Sequence, residues 1–157
     1  MLGKFGQKIN INILIFIVSL IGLPVGAENV NFNTIKLSAN SPKTIVKGET
    51  GGSYSLSTIA NFDRQKNKCL GFSHVTPDRI LILEQNLEKL TIQVNSGEDT
   101  TLVIKGSGNN IYCGDDTGNS KDASISDQKW KAGTYQIWVG SIDPQIKVKY
   151  TLTFKLE

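Results

Sequence analysis

The last strand-length stretch of the chain alternates without a break. From Lys147 to Leu156, Val148, Tyr150, Leu152, Phe154 and Leu156 fall on one side. Lys147, Lys149, Thr151, Thr153 and Lys155 fall on the other. Successive side chains of an extended strand point to opposite faces, so this period of two dictates a strand with one buried and one wet face. The same period recurs upstream. Leu90, Ile92 and Val94 alternate with Lys89, Thr91 and Gln93; Tyr135, Ile137 and Val139 alternate with Gln136 and Trp138. Tyr54 and Leu56, then Leu102 and Ile104, are shorter instances, and Leu70, Phe72 and His74 share a side. Arg79–Glu84 holds a continuous apolar run of strand length, which suits a strand covered on both faces.

Turn chemistry separates these runs: Gly51-Gly52, Thr76-Pro77-Asp78, Asn95-Ser96-Gly97, Gly106–Asn110 and Ile142–Gln145. A helix through Leu83–Leu90 fits the spacing, but the β-branched residues that follow favour a strand. The pattern predicts eight or nine short strands roughly 8–12 residues apart, the mark of an all-β antiparallel sandwich or barrel. Its expected core is Leu56, Leu81, Leu83, Leu90, Ile92, Val94, Leu102, Ile104, Tyr135, Ile137, Val139, Tyr150, Leu152 and Phe154.

The N-terminus follows another logic. Lys4 and Lys8 precede an apolar run from Ile11 to Leu23, and Pro24-Val25-Gly26-Ala27 follows. Residues 1–27 read as a secretory signal peptide cut after Ala27. The run falls short of the roughly 20 apolar residues of a membrane span, although an uncleaved anchor is the alternative. No cysteine follows at a lipid-attachment position. Residues 28–43 are a polar, flexible lead-in with a short strand at Asn33–Leu37, and 44–157 is the folded domain. The expected localisation is periplasmic or extracellular, with no membrane span once the signal is removed.

The formal charge of +3 falls to +1 without the two signal-peptide lysines. There is no basic patch interleaved with aromatics, so nucleic acid is not an expected partner. Cys69 and Cys113 are an even pair in an exported chain, which predicts one disulfide; two buried free thiols are the competing reading.

Three stretches carry a family resemblance: Asp99-Thr100-Thr101-Leu102-Val103-Ile104, then Cys113-Gly114-Asp115-Asp116, then Ala132–Gly140 followed by Tyr150-Thr151-Leu152. Together they resemble the bacterial pre-peptidase C-terminal domain, in its stand-alone secreted form of cyanobacterial type, over roughly Gly51 to Leu156. The resemblance implies a jelly-roll-like sandwich and an accessory role in targeting, matrix binding or secretion.

Candidate sites are few. Asp99, Asp115, Asp116, Asn119 and Asp122 are hard oxygen donors, and relatives of the resembled domain bind calcium near loop acids. These acids also suit turn capping. Trp138 with Gln136, on the face opposite Tyr135 and Ile137, is a candidate binding platform, or else packing on the outer side of a sheet. Trp130 is expected to plug one end of the sandwich. His74 is the only histidine, and no serine lies in a Gly-x-Ser-x-Gly elbow. No catalytic residue is therefore assigned, and calcium is the one cofactor considered. The expected function is a non-catalytic binding or accessory module for a cell-surface, matrix or polysaccharide partner. The alternatives are a calcium-stabilised structural domain of the envelope and a small secreted hydrolase built on His74.

Overall fold

The computed structural model describes residues 34–157 together with Gly3. The expected signal peptide and the first part of the lead-in lie outside the described residues. Among the described residues no helix is long and apolar enough to cross a membrane.

Among the described residues eleven strands form two sheets. The smaller sheet holds β2 (Thr44–Glu49), β6 (Leu87–Asn95), β9 (Ser124–Trp130) and β11 (Lys149–Leu156) in the antiparallel order β2-β11-β6-β9. The larger holds β1 (Thr34–Leu37), β3 (Tyr54–Ser55), β4 (Phe72–Ser73), β5 (Arg79–Leu83), β7 (Thr100–Gly106), β8 (Ile111–Gly114) and β10 (Gly133–Ser141). Strand β10 is its axis. Along one side β10 pairs with β7, which pairs in turn with β8. Along the other, β5 takes the first half and β4 the end, with β3 beside β4 and β1 beside β5.

The all-β sandwich is as the alternation predicts, with three differences. There are eleven strands among the described residues rather than eight or nine; the stretches around Tyr54 and Phe72 do form strands, β3 and β4, but of two residues each. The β1–β5 pair is parallel, so the sheet is not wholly antiparallel. Strand β1 also belongs to the larger sheet, so the expected boundary at 44 falls inside the sandwich. Its Ile35 and Leu37 are buried, and that apolar pair is what draws the lead-in onto β5.

All the expected core residues are buried, and all but Leu56 lie in one cluster between the sheets. Leu56 heads a second cluster with Cys69, Val103, Ile111, Cys113 and Trp138. Val103, Trp138 and Cys113 stand in one register row of the larger sheet, on the face turned away from the smaller one. The segment from Leu56 to Cys69 folds over that row. Strand β7 is thus covered on both faces, which explains why Thr100 through Ile104 are all buried despite their mixed chemistry.

On its β5 and β4 side, β10 has no strand partner at residues 138–140, which pair only with β7 on the other side. Asp78 fills part of the gap. Its N–H donates to the Ile137 carbonyl at 2.8 Å, and its carboxylate accepts from the Val139 N–H at 2.9 Å. A side chain stands here where a backbone carbonyl would otherwise continue the ladder.

Candidate functional site

The most heavily built feature is the seam where the edge of the larger sheet, β8, meets the edge of the smaller one, β9. Cys69 and Cys113 are disulfide-bonded, which ties the Asn61–Lys68 loop to β8. The loop is polar and charged in sequence, and the structure gives it an internal hub. Asp63 is buried and its carboxylate accepts from the N–H groups of Gln65 and Asn67 at 2.9 Å each. It also accepts from Asn67 Nδ2 at 2.9 Å and from the Cys113 N–H at 3.2 Å. That last bond caps an edge donor of β8, so the carboxylate serves both loop and sheet.

Beside the hub lies an aromatic cluster. Tyr112 stacks on Trp130 with ring centroids 4.3 Å apart, and Tyr135 tilts against Trp130 at 5.4 Å. Trp130 is fully buried at the end of β9, as expected of a plug. The other face of Tyr112 carries the Arg64 guanidinium, 5.2 Å from the ring centroid. Arg64 reaches Asp127 on β9 at 3.4 Å, and Gln65 Nε2 donates to the same carboxylate oxygen at 3.1 Å. Burial raises the Tyr112 hydroxyl above its usual range, partly offset by Arg64. Burial pushes Tyr135 up to about 12.

Two hollows follow the seam. One, about 280 Å³, is lined by Asp63, Gln65, Tyr112, Ser126 and Asp127. The other, about 380 Å³, is lined by Lys68, Leu70, Gly114, Asp115 and Asp116, and both share Asn67, Cys113 and Ser124 in their walls. They are parted where Gly114 meets β9: a Cβ there would stand 2.4 Å from the Ser124 carbonyl oxygen, so no larger residue fits.

At the far end of the seam the expected acids partly converge. Carboxylate oxygens of Asp99, Asp115 and Asp116 lie within 4.8 Å of one another. Burial raises the Asp115 pKa, and the charges of Asp116 and Asp99 add to it. Lys121 stands 3.5 Å from Asp99 and offsets part of the repulsion. Three such carboxylates can hold a hard cation such as Ca²⁺, with carbonyls and water completing six to eight oxygens. Asn119 sits exposed on the tight turn closed between Thr117 and Ser120. Asp122 is committed elsewhere: it accepts from Ser96 N–H at 2.7 Å and Ser96 Oγ at 2.6 Å, capping the 96–98 turn.

The other sequence candidates are dispersed. Trp138 does face away from Tyr135 and Ile137, but it is only 5% exposed, under Leu56 and the disulfide. A stacking platform needs an open ring face, so Trp138 is packing on the outer side of a sheet. Gln136 is exposed on the same strand, opposite Lys105, without an aromatic beside it. His74 is exposed, and a side chain at Gly51 would meet its ring at 3.0 Å. The neighbouring Ser73 hydroxyl points at Asp78, 3.4 Å away, rather than at the imidazole.

No family model and no curated protein matches the chain. Solved structures similar to it include two of named function. One is the pre-peptidase C-terminal domain of a collagenase from Bacillus anthracis, 16% identical, with a TM-score of 0.46, covering 78% of this chain and 94% of that one. The other is PliG of Aeromonas hydrophila, a periplasmic inhibitor of g-type lysozyme, 12% identical, with a TM-score of 0.43, covering 79% and 96%. The first comes from the family whose motifs this sequence resembles.

Proposed function

We propose that this chain is an exported, non-catalytic binding module and that the β8–β9 seam is its binding face. One observation carries the reading: Asp63 and Asp127 line one of two adjoining hollows and Asp115 and Asp116 the other, with Asp99 beside them, and a disulfide lies in the shared wall. A rigid acidic stripe with amides and hydroxyls in its walls supplies orientation and charge complementarity for a partner. It supplies no nucleophile activated by a base. Export is supported by the N-terminal apolar run and by the disulfide.

The competing face is the outer side of the smaller sheet. There Lys47, Glu49, Asn95, Lys149 and Thr151 line a shallow depression of about 620 Å³. The two faces differ in sign, which makes them separable. Affinity capture from envelope and extracellular fractions is run with the parent chain and two charge-reversed variants. Asp116→Lys with Asp127→Lys reverses the seam, and capture should fall at least about tenfold, with the salt sensitivity of a steered encounter. Lys47→Glu with Lys149→Glu reverses the sheet face, and capture should persist. The opposite pair of outcomes overturns the seam as the binding face.

A second reading applies to the far end of the seam. The convergence of Asp99, Asp115 and Asp116, with the Asp115 pKa raised first by burial and then by the charges of Asp116 and Asp99, supports a structural calcium ion there.

A further inference from the structure

We propose that the free edge of β2 is a docking surface for the β2 of a second copy of this chain, and that Arg79 guards it in the monomer. Strands β2 and β9 are opposite ends of the smaller sheet, so this edge is separate from the β8–β9 seam.

Strand β2 pairs with β11 alone. In an antiparallel pair alternate residues bond to the neighbour, and those between them point their N–H and C=O off the sheet. Two bonds fix which are which. The Thr50 N–H donates to the Val148 carbonyl at 2.9 Å, continuing the bonds to β11. The Lys47 carbonyl accepts instead from Arg79, a residue of the larger sheet. Ile45, Lys47 and Glu49 therefore carry the outward groups, a row of the kind that takes up an added strand.

The side chains along this edge are complementary to themselves. In an antiparallel pair with a two-fold axis at Gly48, Lys47 stands opposite Glu49 of the second copy, and Glu49 opposite its Lys47. Opposite charges directly across two strands stabilise the pair. Lys149 already faces Glu49 from β11, so each glutamate would lie between two lysines. Among the described residues neither Lys47 nor Glu49 has an ion-pair partner in the monomer. A register shifted to put the axis at Lys47 sets that lysine against its own copy, which the same rule disfavours. Gly48 leaves the axis clear of side chains, and Ile45, 55% exposed, adds an apolar group on the outer face. This charge pattern fits a second copy, in one register.

Arg79 holds the edge closed. Its Nη2 donates to the Lys47 carbonyl and its Nη1 to the Asp78 carbonyl at 2.6 Å. The first bond occupies an acceptor that an added strand needs. Its Nε is buried with no hydrogen-bond partner among the described residues. An unpaired buried donor is a cost that an apolar residue packed in the same place does not carry.

Sedimentation equilibrium of the whole exported chain, as parent and as Arg79→Met, tests this. Methionine keeps the apolar stem and removes every donor. Self-association should tighten at least about tenfold, the scale of one or two freed hydrogen bonds. In the Arg79→Met background, Lys47→Glu and Glu49→Lys should each be monomeric, because each sets like charges across the axis. An equimolar mixture of the two should dimerise, because opposite charges then face each other again. No gain from Arg79→Met, charge variants that associate as before, or a mixture that stays monomeric overturns the proposal. Should Arg79→Met melt early, the parent chain is concentrated and followed by NMR. The amide signals of Ile45–Glu49 should then shift with concentration, and Lys47→Glu should abolish the shifts. Signals of β2 that do not move with concentration, or that move equally in Lys47→Glu, overturn the proposal.

Discussion

Asp63 and Asp78 show how single carboxylates do work that backbone usually does. Asp63 organises a loop and caps β8; Asp78 bridges the gap in the β10 ladder. Their costs differ. For Asp78, burial raises the pKa despite the Val139 N–H, Arg79, His74 and Ser73, all of which favour the charged form. The folded chain thus binds this proton more tightly than the unfolded chain does. Its contribution to stability is present below the ordinary value of 3.8 and is lost as pH rises through the raised folded value. Asp78→Asn keeps an acceptor for Val139 and never ionises. Urea denaturation should find this variant more stable than the parent at pH 7 and equal to it near pH 3. A parent that stays the more stable at pH 7 would show that the charge itself is needed in the ladder.

At the level of elements, the segment between β3 and β4 matters most, because it converts an outer sheet face into a second core. Trp138, Val103, Leu56 and the disulfide pack there as a unit. Trp138→Ala should therefore lower stability by about 3–5 kcal/mol in denaturant unfolding, the cost of emptying a large buried site. A change under about 1 kcal/mol, the level of an ordinary surface substitution, would instead place the ring in solvent. Alternation predicted the direction of this side chain correctly, since it does face away from Tyr135 and Ile137. Period alone cannot say whether an outward face is wet, because the covering segment, Leu56 to Cys69, has no regular pattern of its own. The same limit hid the seam: Asp63, Arg64 and Gln65 lie in a stretch that reads as any polar loop.

Across the whole molecule, the seam joins the two sheets at their edges, and its far end gathers like charges. With calcium bound there, the melting temperature should rise by several degrees in millimolar Ca²⁺ and fall back on adding EDTA, because a ligand of the folded state alone stabilises it. Asp115→Asn should reverse the order: higher-melting than the parent without the ion, where repulsion is relieved, and unresponsive to it. Identical melts of the parent with calcium and with EDTA would remove the ion from the reading.

The turn Cys113–Asp116 joins what could be read early to what could not. Period-two patterning, turn residues and an even cysteine count suffice for the sandwich, most of its core and the disulfide, since each depends on neighbours in sequence or on a rule of composition. The fold brings Asp99, Asp115 and Asp116 together, while Asp122 caps the 96–98 turn. Only the tertiary fold decided that Trp138 is covered, that β1 joins the sheet, and that Arg64 lies on Tyr112 opposite Asp127. These contacts link residues far apart in sequence, 63 positions in the case of Arg64 and Asp127, and no local pattern in the chain records which segments meet.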